Sequence, residues 1–266
     1  MLKNTGIPKK IHYCWFGKGP KSELAIRCIE SWKKYCPDYE IIEWNEENFD
    51  INSNIYVKEA YDSKKYAFVT DYVRLYVLYK YGGIYMDTDV EVLKPLDKFL
   101  NHKAFSSFEN NNCIPTGIIG SEKNNEWIKT LLSDYDNIHF IKNGKMDLTT
   151  NVTRITESTI KNYGLNPVSS YQELGNGIVT MYPYDYFCPK DHYTQKINIT
   201  ENTYTIHHFS GSWLPKGEMK RRLTKNKYIK IFGPFLGIKI GNIIYFSVHP
   251  IEFAKKVSNK IKRRKK

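Results

Sequence analysis

Tyr81-Gly82-Gly83-Ile84-Tyr85-Met86-Asp87-Thr88-Asp89-Val90 is the stretch on which the reading turns. A paired-glycine break precedes a short apolar run, and the run ends in two aspartates two residues apart. In an extended segment residues i and i+2 point the same way, so the carboxylates of Asp87 and Asp89 converge on one small volume. Like charges held that close repel unless a proton or a cation lies between them. A hard divalent ion with oxygen ligands removes the repulsion. Held by only one or two carboxylates, such an ion completes its shell with water and substrate phosphates. The motif therefore points to a metal–diphosphate site.

Upstream, Lys64 to Tyr81 is the most regular stretch of the chain. Phe68, Tyr72, Leu75 and Tyr79 form one stripe, and Val69, Val73 and Tyr76 its neighbour, which predicts a buried helix with a broad apolar face. Asp71 and Arg74 are three apart and can meet on the helix surface. Gly82-Gly83 stops the helix. Nearer the N-terminus, Ile11–Phe16 and Tyr39–Trp44 read as strands. Between them Leu24, Cys28, Ile29 and Trp32 recur at helical spacing behind a Ser22 N-cap. Strand–helix–strand order implies a parallel sheet in an α/β domain. Ligands bind outside the C-terminal edge of such a sheet, where Asp87 and Asp89 fall.

Later in the chain, Tyr204-Thr205-Ile206-His207-His208-Phe209-Ser210-Gly211-Ser212-Trp213 reads as a strand ending in two histidines, a small-residue turn and a Trp. A neutral histidine supplies a nitrogen ligand to a metal such as manganese, so His208 is a candidate third ligand, with the adjacent His207 as the alternative. Trp15, at the end of the first strand, offers a face on which a nucleobase can stack. Between these regions, 114–120 reads as strand or loop, 126–132 as helix and 147–163 as a polar helix. The Tyr/Pro/Asp-rich stretch 181–192 reads as irregular.

The 266 residues, 41% hydrophobic and 15% aromatic, suffice for one large domain with an appendage. The net charge of +12 is uneven: residues 251–266 hold eight Lys/Arg against Glu252 alone, leaving +5 for the other 250. Whole-protein charge is thus a poor argument for nucleic-acid binding. The five cysteines are odd in number and lack Cys-x-x-Cys spacing, so reduced thiols in a cytosol are expected. The N-terminus shows no signal-peptide pattern. The triplets at Asn151 and Asn198 read as chance matches to the glycosylation signal.

Four segments occur in order: Ile11-His12-Tyr13-Cys14-Trp15-Phe16-Gly17, Thr70-Asp71-Tyr72-Val73-Arg74, Gly82 to Asp89, and His208-Phe209-Ser210-Gly211-Ser212-Trp213. Together they resemble the DXD-containing sugar transferases of glycosyltransferase family 32. That family includes bacterial capsular-polysaccharide and lipopolysaccharide transferases and yeast mannosyltransferases. The resemblance is strong over 7–100 and local at 204–213. It implies an A-type glycosyltransferase fold, a Rossmann-like, mostly parallel sheet flanked by helices. It also implies Mn2+ or Mg2+, a nucleotide diphosphate sugar donor, a glycan or lipid-linked acceptor, and retention of anomeric configuration. By the resemblance, Trp15 stacks on the base, Asp71 and Arg74 hold donor sugar and phosphate, and Tyr85 lines the donor site. Asp87 contacts ribose or a metal-bound water, Asp89 ligates the metal, and Ser212 and Trp213 close over the diphosphate. His208 as ligand is carried over from similar retaining transferases.

The expected organisation is a transferase domain over 1–225 and an apolar, then basic, segment over 226–266. Ile251, Ala254, Val257 and Ile261 form a helical stripe among basic residues, which suits an anionic membrane surface. The stretch 228–248 is apolar but interrupted by Lys230, Pro234 and Lys239. It reads as a core hairpin or an interfacial segment, too broken to span. The expected location is cytoplasmic, peripheral on the inner face of the cell membrane. Two rivals stand beside the transferase. One is a non-catalytic sugar-nucleotide or glycan-binding protein. The other is a two-carboxylate phosphoryl-transfer enzyme or nuclease, which needs more acidic ligands than Asp87 and Asp89 provide.

Overall fold

Alternating short β-rich runs and amphipathic stretches build a sheet covered on both faces. The computed structural model describes residues 6–109, 112–114, 117–191, 194–211, 214 and 216–250. Ser212, Trp213 and the basic stretch 251–266 lie outside the described residues. In chain order the elements are β1 (Lys10–Cys14), α1 (Glu23–Tyr35), β2 (Glu40–Trp44), α2 (Ile55–Asp62), α3 (Tyr66–Tyr81), β3 (Gly83–Met86), β4 (Val90–Val92), β5 (Ala104–Ser107), β6 (Ile118–Ser121), α4 (Glu126–Ser133), β7 (Ile141–Lys142), β8 (Lys145–Met146), α5 (Asn151–Tyr163), β9 (Gln172–Leu174), β10 (Val179–Tyr182), α6 (Tyr184–Phe187), β11 (Thr205–His207) and α7 (Lys216–Val248).

Seven strands form one sheet in the order β2-β1-β3-β6-β5-β10-β9. β1 pairs in parallel with β2 and β3, and β5 with β10, while β6 and β9 run against their neighbours. The architecture is the expected α/β arrangement, with five of seven strands pointing one way. Ser22 caps α1 as read from sequence, its Oγ accepting from the Ala25 amide at 3.2 Å. The stretch 181–192, read as irregular, instead carries the end of β10 and the short helix α6.

Alternation along β3 explains how the sheet is sandwiched. Tyr85 enters the core against α2, α3 and α4, with Tyr56, Val69 and Leu75. Ile84 and Met86 enter the opposite core with Ile11, Trp32 and Phe105. Helix α3 is buried at Phe68, Val69, Val73, Leu75, Val77 and Leu78, wider than either stripe read from the sequence. Asp71 and Arg74 are buried as well. The expectation that they meet on the helix surface is corrected, because α3 packs into the molecule on both of its sides.

The entry into β3 is fixed by His12. Its Nε2–H donates to the Gly82 carbonyl at 2.8 Å, and its Nδ1 accepts from the Trp44 indole at 3.1 Å. Both nitrogens are thus satisfied in the neutral ring, and a second proton on Nδ1 would oppose the Trp44 donor. The Gly83 backbone runs so close that a Cβ there would lie 2.9 Å from His12 Nε2 and 2.8 Å from the Lys10 carbonyl. Burial pushes the His12 pKa down to about 4. Between pH 6.5 and 4 the unfolded chain therefore binds the extra proton and the folded one does not, so stability falls as pH falls through that window. The expected loss is about 3 kcal/mol, and His12→Gln should flatten this slope in urea melts at pH 7, 5.5 and 4.5. An unchanged slope would contradict the assignment.

The chain divides into two compact units, Met1–Lys190 with Asn198–Phe209, and Asp191–Ile197 with Ser210–Lys266. The division expected at residue 226 falls inside α7. The first unit holds the sheet. The second contains α7, which breaks at Gly233 (φ 74°, ψ 172°), followed by Pro234.

Candidate active site

Asp87 leaves the C-terminal end of β3, and the backbone turns at once. The Asp87 amide donates to the Gly117 carbonyl, and the Val90 amide donates back to the Asp87 carbonyl, both at 2.9 Å. The aspartates thus converge, as expected, but by a different route. They occupy a tight i→i+3 turn and not an extended segment. The turn leads into β4, which pairs antiparallel with β11, His207 opposite Val90. Helix α1 pins this ribbon: the Trp32 indole donates to the Val90 carbonyl at 2.7 Å, and Ser31 Oγ accepts from the Val92 amide at 2.9 Å.

His207 ends β11 and His208 follows it, and their side chains take opposite directions. His207 Nε2 lies 3.3 Å from Asp89 Oδ1. His208 Nε2 points to Glu91 Oε2 at 2.7 Å, while its amide donates to the Asp89 carbonyl at 2.9 Å. The histidine brought to the aspartates is therefore His207, and His208 is turned away. Ligand atoms of Asp87, Asp89 and His207 all lie within 4.8 Å of one another. Two carboxylates and an imidazole form a donor set suited to manganese, and the oxygens also suit magnesium. Burial opposes a charge on His207, but the Asp89 carboxylate outweighs it and holds the imidazole pKa well above its ordinary value. The space beside Asp89 thus favours positive charge. At Gly117 an added Cβ would come within 2.7 Å of His207 Nδ1, so glycine leaves the ring its place.

Behind the aspartates Arg74 is almost completely buried. Its guanidinium lies 3.2 Å from Asp87 Oδ1 and 3.4 Å from Asp71 Oδ1, and 4.6 Å over the Tyr85 ring. Tyr85 Oη donates to Asp87 Oδ1 at 3.0 Å. Burial would lower the Arg74 pKa, but the Asp87 carboxylate and its neighbours raise it further, so the guanidinium stays charged. Burial pushes Asp71 up to about 7, against the pull of Arg74. Asn151, read from sequence only as part of a glycosylation triplet, is buried at the start of α5 and donates to the Asp71 carbonyl at 3.3 Å. Its role was invisible because the contact spans 80 residues.

Trp15 is half-buried just beyond β1, its indole donating to the Gly19 carbonyl at 2.7 Å. β1 and β3 are paired with Ile11 opposite Ile84, so Trp15 and the Asp87 turn leave the same edge of the sheet. Of the residues read from sequence, Asp71, Arg74, Tyr85, Asp87 and Asp89 are thus brought together, and Trp15 leaves the same sheet edge as Asp87. The Ser212 and Trp213 assignments fall outside the described residues.

Residues 22–106 match the family described as "Glycosyltransferase sugar-binding region containing DXD motif", a span that contains Asp87-Thr88-Asp89. This stretch is thus similar to the sugar-binding region of the DXD-containing glycosyltransferases. It is 31% identical over 134 residues to inositol phosphoceramide mannosyltransferase 3 of Schizosaccharomyces pombe, covering 47% of this chain and 36% of the relative. Inositol phosphoceramide mannosyltransferase 1 of the same yeast is 27% identical over 110 residues, covering 37% and 33%. The chain spans about a third of the length of these curated relatives. Among solved structures, the PaToxG glycosyltransferase is similar with a TM-score of 0.44 and 21% identity, covering 59% of this chain and 69% of that one. A glycosyltransferase involved in the glycosylation of the major capsid of PBCV-1 gives 0.43 and 13%, covering 75% and 94%.

Proposed function

We propose that the protein is a metal-dependent, retaining glycosyltransferase that moves a hexose from a nucleotide diphosphate sugar to a glycan or lipid-linked acceptor in bacterial capsular-polysaccharide or lipopolysaccharide synthesis. The observation that carries the reading is the convergence of Asp87, Asp89 and His207 beside a buried, charged Arg74 at the edge of the parallel strands. Asp87, Asp89 and His207 would hold Mn2+ or Mg2+. When bound, the ion supplies positive charge against the diphosphate.

The chain's own residues do the rest. Arg74 is fixed from both sides before substrate arrives, so its charge needs no reorganisation as negative charge grows on the leaving group. Trp15 offers the base a ring face, and Asp71 and Tyr85 set the position of Arg74 and Asp87. Retention by same-face attack as the diphosphate leaves needs no protein nucleophile; a trapped glycosyl–enzyme adduct would refute that path. The names of the yeast relatives make mannose the first hexose to test and a lipid headgroup the first acceptor. Attachment to the inner face of the cell membrane through the basic stretch 251–266 belongs to the same proposal.

A panel of nucleotide sugars, scored for manganese-dependent release of nucleoside diphosphate, tests the activity. Binding without turnover, with every donor and both metals, would instead support a sugar-nucleotide-binding protein. The histidines give a sharper test of the site. His207→Ala should weaken Mn2+ binding by about tenfold or more, whereas His208→Ala should change it less than about twofold, as read by isothermal titration. The reverse ranking would remove His207 from the ligand set.

A further inference from the structure

We infer that residues 216–248 form a lipid-inserting helical hairpin whose tip, Ile231-Phe232-Gly233-Pro234-Phe235-Leu236, enters one leaflet of an anionic bilayer without crossing it. The inference rests on the membrane attachment proposed above and is independent of the transferase reading. By length and composition, Gly217–Val248 passes for a membrane-spanning helix. Its backbone does not run straight. At Gly233 the chain takes φ 74°, ψ 172°, and Pro234 follows. The two limbs then fold back on each other. A Cβ on Gly237 would lie 2.4 Å from Ile229 Cα, and one on Gly241 2.7 Å from Lys225 Cα, so the backbones touch where only glycine fits. Near the open end, Tyr245 Oη donates to the Gly217 carbonyl at 2.9 Å, and Arg221 Nε donates to Asn242 Oδ1 at 3.1 Å.

Limbs of this length are about 25 Å long, short of the ~30 Å hydrocarbon core of a bilayer. The first limb also carries Lys216, Lys220, Arg221, Arg222, Lys225, Lys227 and Lys230. At the tip, by contrast, Ile231, Phe232, Phe235 and Leu236 are 60%, 48%, 72% and 52% exposed and have no charge among them. Lys230 and Lys239 are the basic residues nearest the turn, about 5–9 Å from Gly233 along the helix axes. That is the depth to which interfacial helices sink their apolar side, with lysines reaching up to the phosphates. Leu223, Ile243 and Val248, also exposed, stand about three to four turns from Gly233.

Charge selects the partner. Residues 216–250 hold eight Lys/Arg against Glu218, and 251–266 a further eight against Glu252. The first 215 residues hold 24 Lys/Arg and 26 Asp/Glu, a net of −2. The basic character of the protein is thus confined to the hairpin and the C-terminal stretch 251–266. An apolar tip on a polybasic stem matches an anionic lipid surface.

The test uses the full chain and vesicles of phosphatidylglycerol and phosphatidylcholine. Phe232→Ser with Phe235→Ser should reduce co-sedimentation by about thirtyfold or more, while wild-type binding persists in part at about 0.5 M salt. A separate Phe235→Trp variant should gain fluorescence quenched more strongly by lipids brominated near the headgroup than by those brominated near the chain ends. If wild type binds and the serine variant binds equally, the tip is not the anchor and this inference fails alone. If wild type does not bind at all, the membrane reading fails with it. Stronger quenching by the deep label would mean crossing, and loss of a solution dimer in the serine variant without any vesicle binding would mean self-association; either overturns the proposal.

Discussion

Asp89→Asn is expected to lower sugar transfer by about a thousandfold or more and to leave the fold intact. The asymmetry follows from what surrounds the carboxylate. Asp89 faces Asp87 on one side and His207 on the other, with its Oδ1 3.3 Å from the imidazole. Asparagine keeps one oxygen but loses the negative charge, leaving Asp87 as the only carboxylate of the cation site. Its neighbours Asp87 and His207 are not stranded, however. Asp87 loses a like-charged neighbour and keeps Arg74 at 3.2 Å and the Tyr85 hydroxyl at 3.0 Å. His207, no longer held protonated by Asp89, can shed its proton. The melting temperature should therefore stay within about 4 °C of the parent, a shift on the order of 1 kcal/mol, while Mn2+ titration heats vanish. Full turnover by Asp89→Asn would sink the catalytic reading, whereas unfolding would show only that the pair is structural.

Local chemistry made much of this site legible. Glycine pairing marked the end of α3, a short apolar run marked β3, and the spacing of Asp87 and Asp89 marked the convergence of their carboxylates, though not the turn that brings it about. What the sequence concealed is long-range or depends on facing. The choice between His207, the last residue of β11, and His208, just beyond it, is settled by the pairing of β11 with β4, more than a hundred residues away in sequence. The burial of Asp71 and Arg74 depends on packing across α3 that its own periodicity understates, because a helix covered on both sides loses its polar face. Asn151 reaches Asp71 only after α5 docks. Likewise, Lys230, Pro234 and Lys239 showed 228–248 to be broken. Only the fold shows that the break is a turn between touching helices, with the aromatic residues at its apex.

Arg74→Met should be the most destabilising single change at the site. The guanidinium is 5% exposed and sits between Asp71 and Asp87, whose side chains are 13% and 23% exposed. Removing one partner of a buried ionic group leaves uncompensated charge and costs about 3–5 kcal/mol, visible as a lower urea midpoint. Arg74→Lys keeps a charge but not the planar fork that reaches both carboxylates, so it should recover only part of the loss. The deficit should also depend on pH. Burial raises the Asp71 pKa to about 7, above its unfolded value of 3.8, despite Arg74. The folded state therefore binds the proton more tightly between those values, and stability falls as pH rises through that window. Without Arg74 this penalty grows, so the variant's deficit should be larger at pH 8 than at pH 5.5, where Asp71 is neutral. Turnover measured on the fraction that remains folded should still drop about a hundredfold or more, since Arg74 is the only lysine or arginine paired with Asp87 among the described residues. Equal deficits at the two pH values would show that Asp71 does not carry the coupling, and near-normal turnover would mean that the leaving group is stabilised elsewhere.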